Sequence, residues 1–490
     1  MVQTDDDWLS SRAPAEFTLN TSLLPEVLTA YRTAHGLTQS DLAKIIGIDQ
    51  SYLSKIVKGD RKVFDVEQLL RIATQLDIHP EELGISRSIL EPVTPPAATA
   101  LVGQVDGVHE SQSSWTTARR WLNRQRGELA RAATGLYSEE ARIGNAPFLA
   151  LKSWMPARPL ALSDIALTWS EEVAPIPVTG TEPEVHGVLP LRAPGRRFTR
   201  YTTAIKYLDP PALFENRSSY RMLGCNLRDP NPSMTFTLGT YFDKLDVSEA
   251  VAHELSTSPS FRSGTPTADW GELPLRGLIG NPFDLSRRAL MPAIETLTIR
   301  RPDSGDPTFL LHWRDPHKVA TAGGIYGLIP AGEFQPSTIA TRDRENDFDL
   351  WKNMVREYAE EVLGEPERDG SQAQPLDYDA WPFYAQITAG LRDGSVAAYC
   401  LGVGMDALTL TATILTVVVF DSSTFDSLFH DAVEVNPEGV LTATAGSSTV
   451  TDGLPFTEST IHRLLTDEPM ASPGACILDR AWRLRDHLLH

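Results

Sequence analysis

Three carboxylates at helical spacing offer the first chemistry in this 490-residue chain. Glu357, Glu360 and Glu361 fall at i, i+3 and i+4 within DFDLWKNMVREYAEEVLGEPE, so in a helix they project from a common side. Three clustered anions repel one another unless solvated or neutralised, and a divalent ion such as Mg²⁺, bound through hard oxygen ligands, is the natural neutraliser. A second set of residues suits the reading of base edges. Gln50, Ser51, Tyr52, Ser54 and Lys55 are the polar positions of one short segment; Gln50 can pair bidentately with adenine, and Lys55 can address guanine or a phosphate. Gln39, upstream, and Lys58, Arg61 and Lys62, downstream, are placed for phosphate contacts.

The second set needs short helices to hold it. Leu24, Leu28 and Tyr31 recur at helical spacing up to Gly36. Thr38 is a natural N-cap with Asp41 three residues on, close to a capping box. The helix starting there is expected to bury Leu42, Ile45 and Ile46 and to stop at Gly47, which tolerates a positive-φ turn. Asp49 is expected to cap a third helix that turns Leu53, Ile56 and Val57 inward. The run LTQSDLAKIIGIDQSYLSKIVKGDR, within Leu23 to Leu83, resembles the Cro/repressor-type (XRE) helix-turn-helix family. That resemblance implies a recognition helix in the major groove of double-stranded DNA and a role in transcription regulation, with a homodimer matched to a palindromic operator. The alternative is a helix-turn-helix turned into a protein-interaction module.

The carboxylates need a sheet and a loop ahead of their helix. ETLTIRR and TFLLHWR read as strands around a turn, and GGIYGLIPAGEF as a further strand ending in a glycine loop. The helix itself carries Trp351, Met354, Val355, Tyr358 and Val362 on one apolar face. REYAEE and the loop IPAG resemble the box of the Nudix family, with Arg356 and Glu357 as its Arg-Glu pair and Glu360 and Glu361 as its Glu-Glu pair. The resemblance implies a mixed sheet sandwiched by helices. It also implies metal held by Glu357, Glu360 and Glu361, Glu360 and Glu361 as catalytic residues if the site is active, and a ligand loop at Gly332 and Arg356. A metal-activated water would then break a phosphoanhydride. This chain departs from the pattern. Gly332 and Arg356 stand 24 positions apart, a longer separation than the box allows. Thr338 takes the place of the first box glutamate, and Leu363 that of the box glycine, with Gly364 one place late.

Elsewhere, TRYTTAIKYL and MTFTLGTYF alternate like half-buried strands, and WPFYAQITAGL and TLTATILTVVVF read as buried ones. Tyr220, Arg221, Tyr241, Phe242, Glu249, His253 and Glu254 are pocket candidates that no motif ties together. His253-Glu254 lacks the second histidine of a metalloprotease helix, which favours a packing role. Trp115, Ala118, Leu122, Leu129, Ala132 and Leu136 approximate a heptad seam broken at Gln125, fit either for dimerisation or for packing on its own domain. Arg119, Arg120, Arg124, Arg126 and Arg131 read as a solvated face. Ala481, Leu484 and Leu488 form a terminal apolar stripe for core or subunit interface.

Composition bounds what these parts can do. A chain with 41% hydrophobic and 22% charged residues is ordinary for a soluble globular protein. Its formal net charge of −20 opposes DNA except at a basic strip, so binding should be sequence-selective and salt-sensitive rather than a general coat. MVQTDDDW is acidic where a signal peptide is basic, and the longest apolar run, Leu408 to Phe420, is too short to cross a bilayer. Cys225, Cys400 and Cys476 match no zinc or disulfide spacing. A cytoplasmic setting without membrane association is expected. No Gly-x-Ser-x-Gly elbow, P-loop or dinucleotide fingerprint occurs.

The expected fold class is multidomain: an all-α helix-turn-helix domain followed by an α+β body ending in a Nudix-like α/β/α sandwich. The expected divisions are a disordered tail over 1–18, the helix-turn-helix over 19–90, a proline-rich linker over 91–113, a connecting or dimerisation helix over 114–142, an α+β middle region over 143–285 and the Nudix-like domain over 286–490. Three functions compete. The first is a regulator whose body senses a nucleotide or ADP-ribose-type diphosphate. The second is a Mg²⁺-dependent hydrolase with a DNA-binding appendage, and the third a DNA-binding protein whose body takes protein partners.

Overall fold

The computed structural model describes residues 24–48, 50–58, 72–73, 75–76, 78, 98–144, 146–171, 173–211, 214–263, 269–314, 325–338, 340–366, 374–433, 439–442 and 453–489. The tail over 1–18, Asp49, Arg61 and Lys62 lie outside these residues. The chain divides into two compact units, Met1–Val102 and Gly103–His490, each considered by itself.

The first unit contains three short helices, α1 (Leu24–Ala34), α2 (Gln39–Ile46) and α3 (Gln50–Val57). Leu24, Val27 and Leu28 of α1 pack with Leu42, Ala43 and Ile46 of α2 and Leu53 and Ile56 of α3. Each fully buried Leu or Ile contributes about 1.5–3 kcal/mol relative to exposure. Ile45, expected inside, is 39% exposed; Leu42, Ala43 and Ile46 centre the buried stripe, which leaves Ile45 to one side of it. Tyr31 and Val57, also expected inside, are only partly buried at the edge of this core.

The second unit opens within α4 (Ala98–Arg124), whose residues from Gly103 onward belong to it, and continues, after a break at Gln125, with α5 (Arg126–Thr134). The helix thus covers the stretch expected as a linker from Ala98 onward, because its last proline is Pro96 and the residues after it are compatible with a helix. Trp115, Leu122 and Leu129 of the seam are buried with Val188, Tyr201 and Val251 of the same unit. There follow β1 (Phe148–Leu149), β2 (Leu160–Ala161), α6 (Tyr201–Leu208), β3 (Ser218–Asn226), β4 (Ser233–Thr240) and α7 (Tyr241–Thr257). TRYTTAIKYL, expected as a strand, holds helix α6: Tyr201, Ala204 and Ile205 are buried at helical spacing.

The second half supplies β5 (Ala293–Arg301), β6 (Thr308–Phe309), β7 (Ala331–Glu333), α8 (Thr341–Asn346), α9 (Leu350–Glu357), α10 (Pro382–Asp393), β8 (Val396–Asp406), β9 (Ala412–Asp421), α11 (Ser422–Leu428), β10 (Leu454–Pro455), α12 (Glu458–Thr466) and α13 (Ser472–Arg483). WPFYAQITAGL, expected as a strand, is helix α10; Pro382 sits in its first turn and Phe383, Ile387 and Gly390 form its buried face. The residues that lengthen the segment between Gly332 and Arg356 include α8.

Among the described residues the main sheet has eight strands in the order β1-β8-β9-β5-β6-β10, with β7 added on β5 and β2 on β8. β9 and β5 run parallel from Thr413↔Ala293 to Asp421↔Arg301, whereas β8 and β9 are antiparallel. Because side chains alternate across the pleat, Ile414, Val418 and Phe420 join a core with α9, α10 and α11. Leu415, Val417 and Val419 join another with α12 and α13. The mixed sheet therefore lies between two helix layers, and its central strands are apolar on both faces. Ala481 and Leu488 of the terminal stripe belong to the second core. The expected division at 285/286 does not separate compact units, because β1 and β2 pair with β8. Among the described residues no helix is long and apolar enough to cross a membrane.

Thr38→Ala removes the N-cap of α2 and should weaken it by about 1 kcal/mol. Hydrogen exchange of the full chain should quicken over residues 39–46 while the amides of β5 and β9 stay unchanged; equal protection in both proteins would contradict this role for the cap.

Candidate nucleic-acid interface and ligand cavity

The helix pair of the first unit is set by its caps. Thr38 Oγ1 accepts from the Asp41 N–H at 3.2 Å, and Asp41 accepts in return from the Thr38 N–H at 3.2 Å and hydroxyl at 2.6 Å. These bonds hold the Asp41 carboxyl below its ordinary value. Gly47 ends α2 at φ 66, a left-handed conformation that a side chain resists. On α3, Gln50, Ser51 and Lys55 are exposed, as is Lys58 just after it, while Tyr52, Ser54 and, on α2, Gln39 are partly exposed. Gln50, Ser51, Ser54, Lys55 and Lys58 follow one helical stripe opposite Leu53 and Ile56, which is the placement a groove-reading helix needs.

In the second unit a cavity of about 510 Å³ opens at the starts of the parallel strands β5 and β9, beside β7, α7 and the first residues of α13. This volume lies in the range of small-molecule sites. One wall is the glutamate turn. After α9 the chain makes a π-turn, Tyr358–Val362, in which the Leu363 N–H donates to the Tyr358 carbonyl at 3.2 Å. Glu357, Glu360 and Glu361 all reach this wall. Glu361 accepts from the Ala331 N–H at 2.9 Å. The Glu357 carboxyl lies against Gly332, filling the space that a Cβ would take, 2.1 Å away. Arg356, expected in the ligand loop, lies outside the large cavity. Its guanidinium donates to the Gln335 carbonyl at 2.5 Å, Asn353 Oδ1 at 2.9 Å and the Tyr378 hydroxyl at 2.5 Å, and Asp347 stands 3.7 Å away. It clamps the segment between β7 and α9. Thr338, at the place of the first box glutamate, donates to Asp343 of α8 and does not line the cavity.

These carboxylates do not fit a preformed Mg²⁺ site. Among the described residues no group of three or more His, Cys, Asp or Glu side chains is arranged to hold a metal ion, and Glu361 and Glu357 are turned onto the backbone of Ala331 and Gly332.

Of the opposite wall, the sequence offered Tyr241 and Glu249 as pocket candidates, and not Lys244 or Ser248. Tyr241, Lys244, Leu245 and Ser248 of α7 face the cavity, and Lys244 Nζ pairs with Glu333 Oε2 of β7. Glu249 also lines it and accepts from Arg126 at 2.7 and 2.9 Å and from Arg119 at 2.9 Å. Arg119 and Arg126, expected on a solvated face, are therefore buried ion-pair partners, whereas Arg120, Arg124 and Arg131 are exposed. Burial works to raise the Glu249 carboxyl, but Arg126 and Arg119 pull it down to about 2. Of the pocket candidates, Tyr241 and Glu249 reach the cavity; Tyr220, Arg221, Phe242, His253 and Glu254 do not. Tyr220 donates to the Arg344 carbonyl at 2.8 Å. Glu254 accepts the N–H groups of Leu275 and Arg276 at 2.6 and 3.0 Å. His253 has the packing role expected of it: its Nδ1 lies 2.8 Å from the Tyr201 hydroxyl and its ring stacks on Trp115. Burial, with Arg119 nearby, lowers its pKa to about 3. The helical spacing of Tyr241, Lys244 and Ser248 was visible in the sequence; the strand that brings Glu333 to them was not.

Residues 28–83 match the family described as helix-turn-helix. A solved structure similar to part of the chain is that of the restriction-modification controller protein C.AhdI from Aeromonas hydrophila, with 41% identity over 12% of this chain and 91% of that one and a TM-score of 0.12. The chain has no match among curated proteins.

Two tests follow from the buried network. Glu249→Gln leaves Arg126 without its countercharge and Arg119 with only Asp209, 3.7 Å away, and should cost about 3–5 kcal/mol in unfolding free energy; a loss below 1 kcal/mol by denaturant titration would exclude the clamp. The folded chain holds His253 and Glu249 deprotonated more strongly than the unfolded chain does, so it binds fewer protons and acid destabilises it. The His253 contribution is whole above pH 6.5 and declines toward about 3; that of Glu249 is whole above 4.5 and declines toward about 2. Unfolding measured between pH 6.5 and 4.5 should therefore show a pH slope that His253→Gln flattens.

Proposed function

We propose that this chain is a DNA-binding transcriptional regulator whose body senses a small ligand in the cavity. The observation that carries the DNA-binding half is the stripe Gln50, Ser51, Ser54, Lys55 and Lys58, on and just after a helix set behind the Gly47 turn, within a segment that matches the helix-turn-helix family. Gln50 and Lys55 supply base-edge contacts and Gln39 and Lys58 phosphate contacts. Binding as a homodimer to paired half-sites is part of this reading, since one short recognition helix reads few base pairs.

The mixed sheet between helix layers, with Arg356-Glu357 and Glu360-Glu361 on the helix that approaches Gly332, supports reading the end of the body as Nudix-like. A nucleotide or ADP-ribose-type diphosphate is the ligand that likeness suggests. In the cavity it would meet basic side chains already engaged by carboxylates and a carbonyl, so its own charge would need a cation carried in with it. A ligand can move the regulator only by binding one of its conformations better than another.

Selection from a randomised duplex library, followed by fluorescence anisotropy on the enriched site, tests the DNA-binding half. Gln50→Ala should weaken the enriched site by about tenfold and relax the preference at one base pair. Lys58→Ala should weaken all sequences alike and flatten the salt dependence. No enriched sequence would sink the reading. For the body, a shift in the affinity for that site on adding ADP-ribose with Mg²⁺, without turnover, would support a diphosphate sensor. Hydrolysis that disappears in Glu360→Gln/Glu361→Gln would instead make the chain an enzyme.

A further inference from the structure

We infer that the ligand of this cavity is a small organic amine, held as its ammonium ion by Glu333 and Ser248; the inference rests on the sensing role proposed above and assigns the site an amine in place of the diphosphate that the Nudix likeness suggests. It follows from which polar groups on the α7 wall are already matched. Lys244 Nζ pairs with Glu333 Oε2 and lies 5.1 Å over the Tyr241 ring, so this wall already holds one primary ammonium by a carboxylate and an aromatic face. The second oxygen of the same carboxylate, Glu333 Oε1, is buried and has no hydrogen-bond partner. One helical turn beyond Lys244, Ser248 is 2% exposed, and its Oγ also has no partner. Buried polar atoms are ordinarily satisfied, and both residues line the cavity. A carboxylate oxygen accepts only, and a hydroxyl can accept as well as donate. The group that completes both is a donor with at least two N–H bonds, and a positive charge strengthens each of those bonds.

The rest of the described lining points the same way. Eight carboxylates face the cavity against three basic side chains. All three of those are engaged: Lys244 by Glu333, Arg126 by Glu249, and Arg217 by the Ser337 carbonyl at 2.9 Å. A free phosphate would have to break an existing pair to find its cation, whereas an ammonium breaks none. Beyond Glu333 the cavity is lined by the further carboxylates of the Glu357–Glu361 turn, which suit a diamine or polyamine rather than a single ammonium.

The test is calorimetric titration of the full chain, without DNA, with spermidine and 1,4-diaminobutane, and with 1,4-butanediol and ADP-ribose as comparisons. Saturable binding of the amines and none of the diol is expected. Ser248→Ala removes one hydrogen bond, worth about fivefold in affinity, and should not unfold a chain in which that hydroxyl has no partner. Glu333→Gln should weaken the amines by more than tenfold. Because it also strips Lys244 of its countercharge, Lys244→Met/Glu333→Gln serves as the folded control and should lose the amines to the same extent. Equal binding of diol and diamine, binding of ADP-ribose alone, binding of none of the four, or amine binding untouched by both Ser248→Ala and Glu333→Gln would each overturn the proposal. Affinity for the enriched duplex is read separately. Amine binding that leaves it unchanged would sink the sensing role while the amine site stands.

Discussion

One carboxylate holds the larger unit in its working arrangement. Glu249 stands on α7 with almost no solvent contact and receives a guanidinium from each side of the Gln125 break, Arg119 from α4 and Arg126 from α5. A buried charge is tolerable only when it is paired and hydrogen-bonded, so Glu249 depends on both guanidinium groups. Their geometry fixes two helices against a third at the rim of the cavity. Around it the packing is aromatic and apolar, with Trp115, Tyr201 and His253 in contact. The direction of the helices across the break follows from where this carboxylate sits.

The other wall depends on the sheet. β5 and β9 are parallel and buried on both faces, so their register cannot slip without exposing one apolar set. That register places Glu295 and Thr413 at the cavity and pairs β7 with β5 at Ala331↔Glu295. β7 in turn presents Glu333 to Lys244 and Gly332 to Glu357. Acidic groups that are remote in sequence are thereby gathered by strand pairing alone.

Much of the first unit could be read directly, because its signals are local: a capping box at Thr38 and Asp41, a positive-φ glycine at Gly47, and apolar residues at helical spacing. The body was harder for a physical reason. Short apolar runs do not declare their period: TRYTTAIKYL alternates like a half-buried strand and WPFYAQITAGL passes for a buried one, while their buried residues, such as Phe383 and Ile387, are four apart. The carboxylates of the π-turn were visible as a group. Their partners were not, since Ala331 and Gly332 meet them only after the chain has passed through α8. The arginines of α4 and α5 were visible as charges, but which of them are buried depends on Glu249, more than a hundred residues away.

The π-turn at Tyr358–Val362 carries one more residue than an α-helical turn would. It works as a register adapter between α9, whose Trp351, Met354 and Val355 are seated in the core, and Glu361, whose carboxyl must meet the Ala331 amide. Point substitutions there leave the count of residues intact, whereas a one-residue deletion would restore the regular helix and swing everything beyond it by about 100°. Glu361 would then leave Ala331 while the apolar anchors upstream stayed where they are. Tyr358, Ala359 and Val362 of the turn are themselves buried, so the segment is tied to its apolar residues as well as to its length.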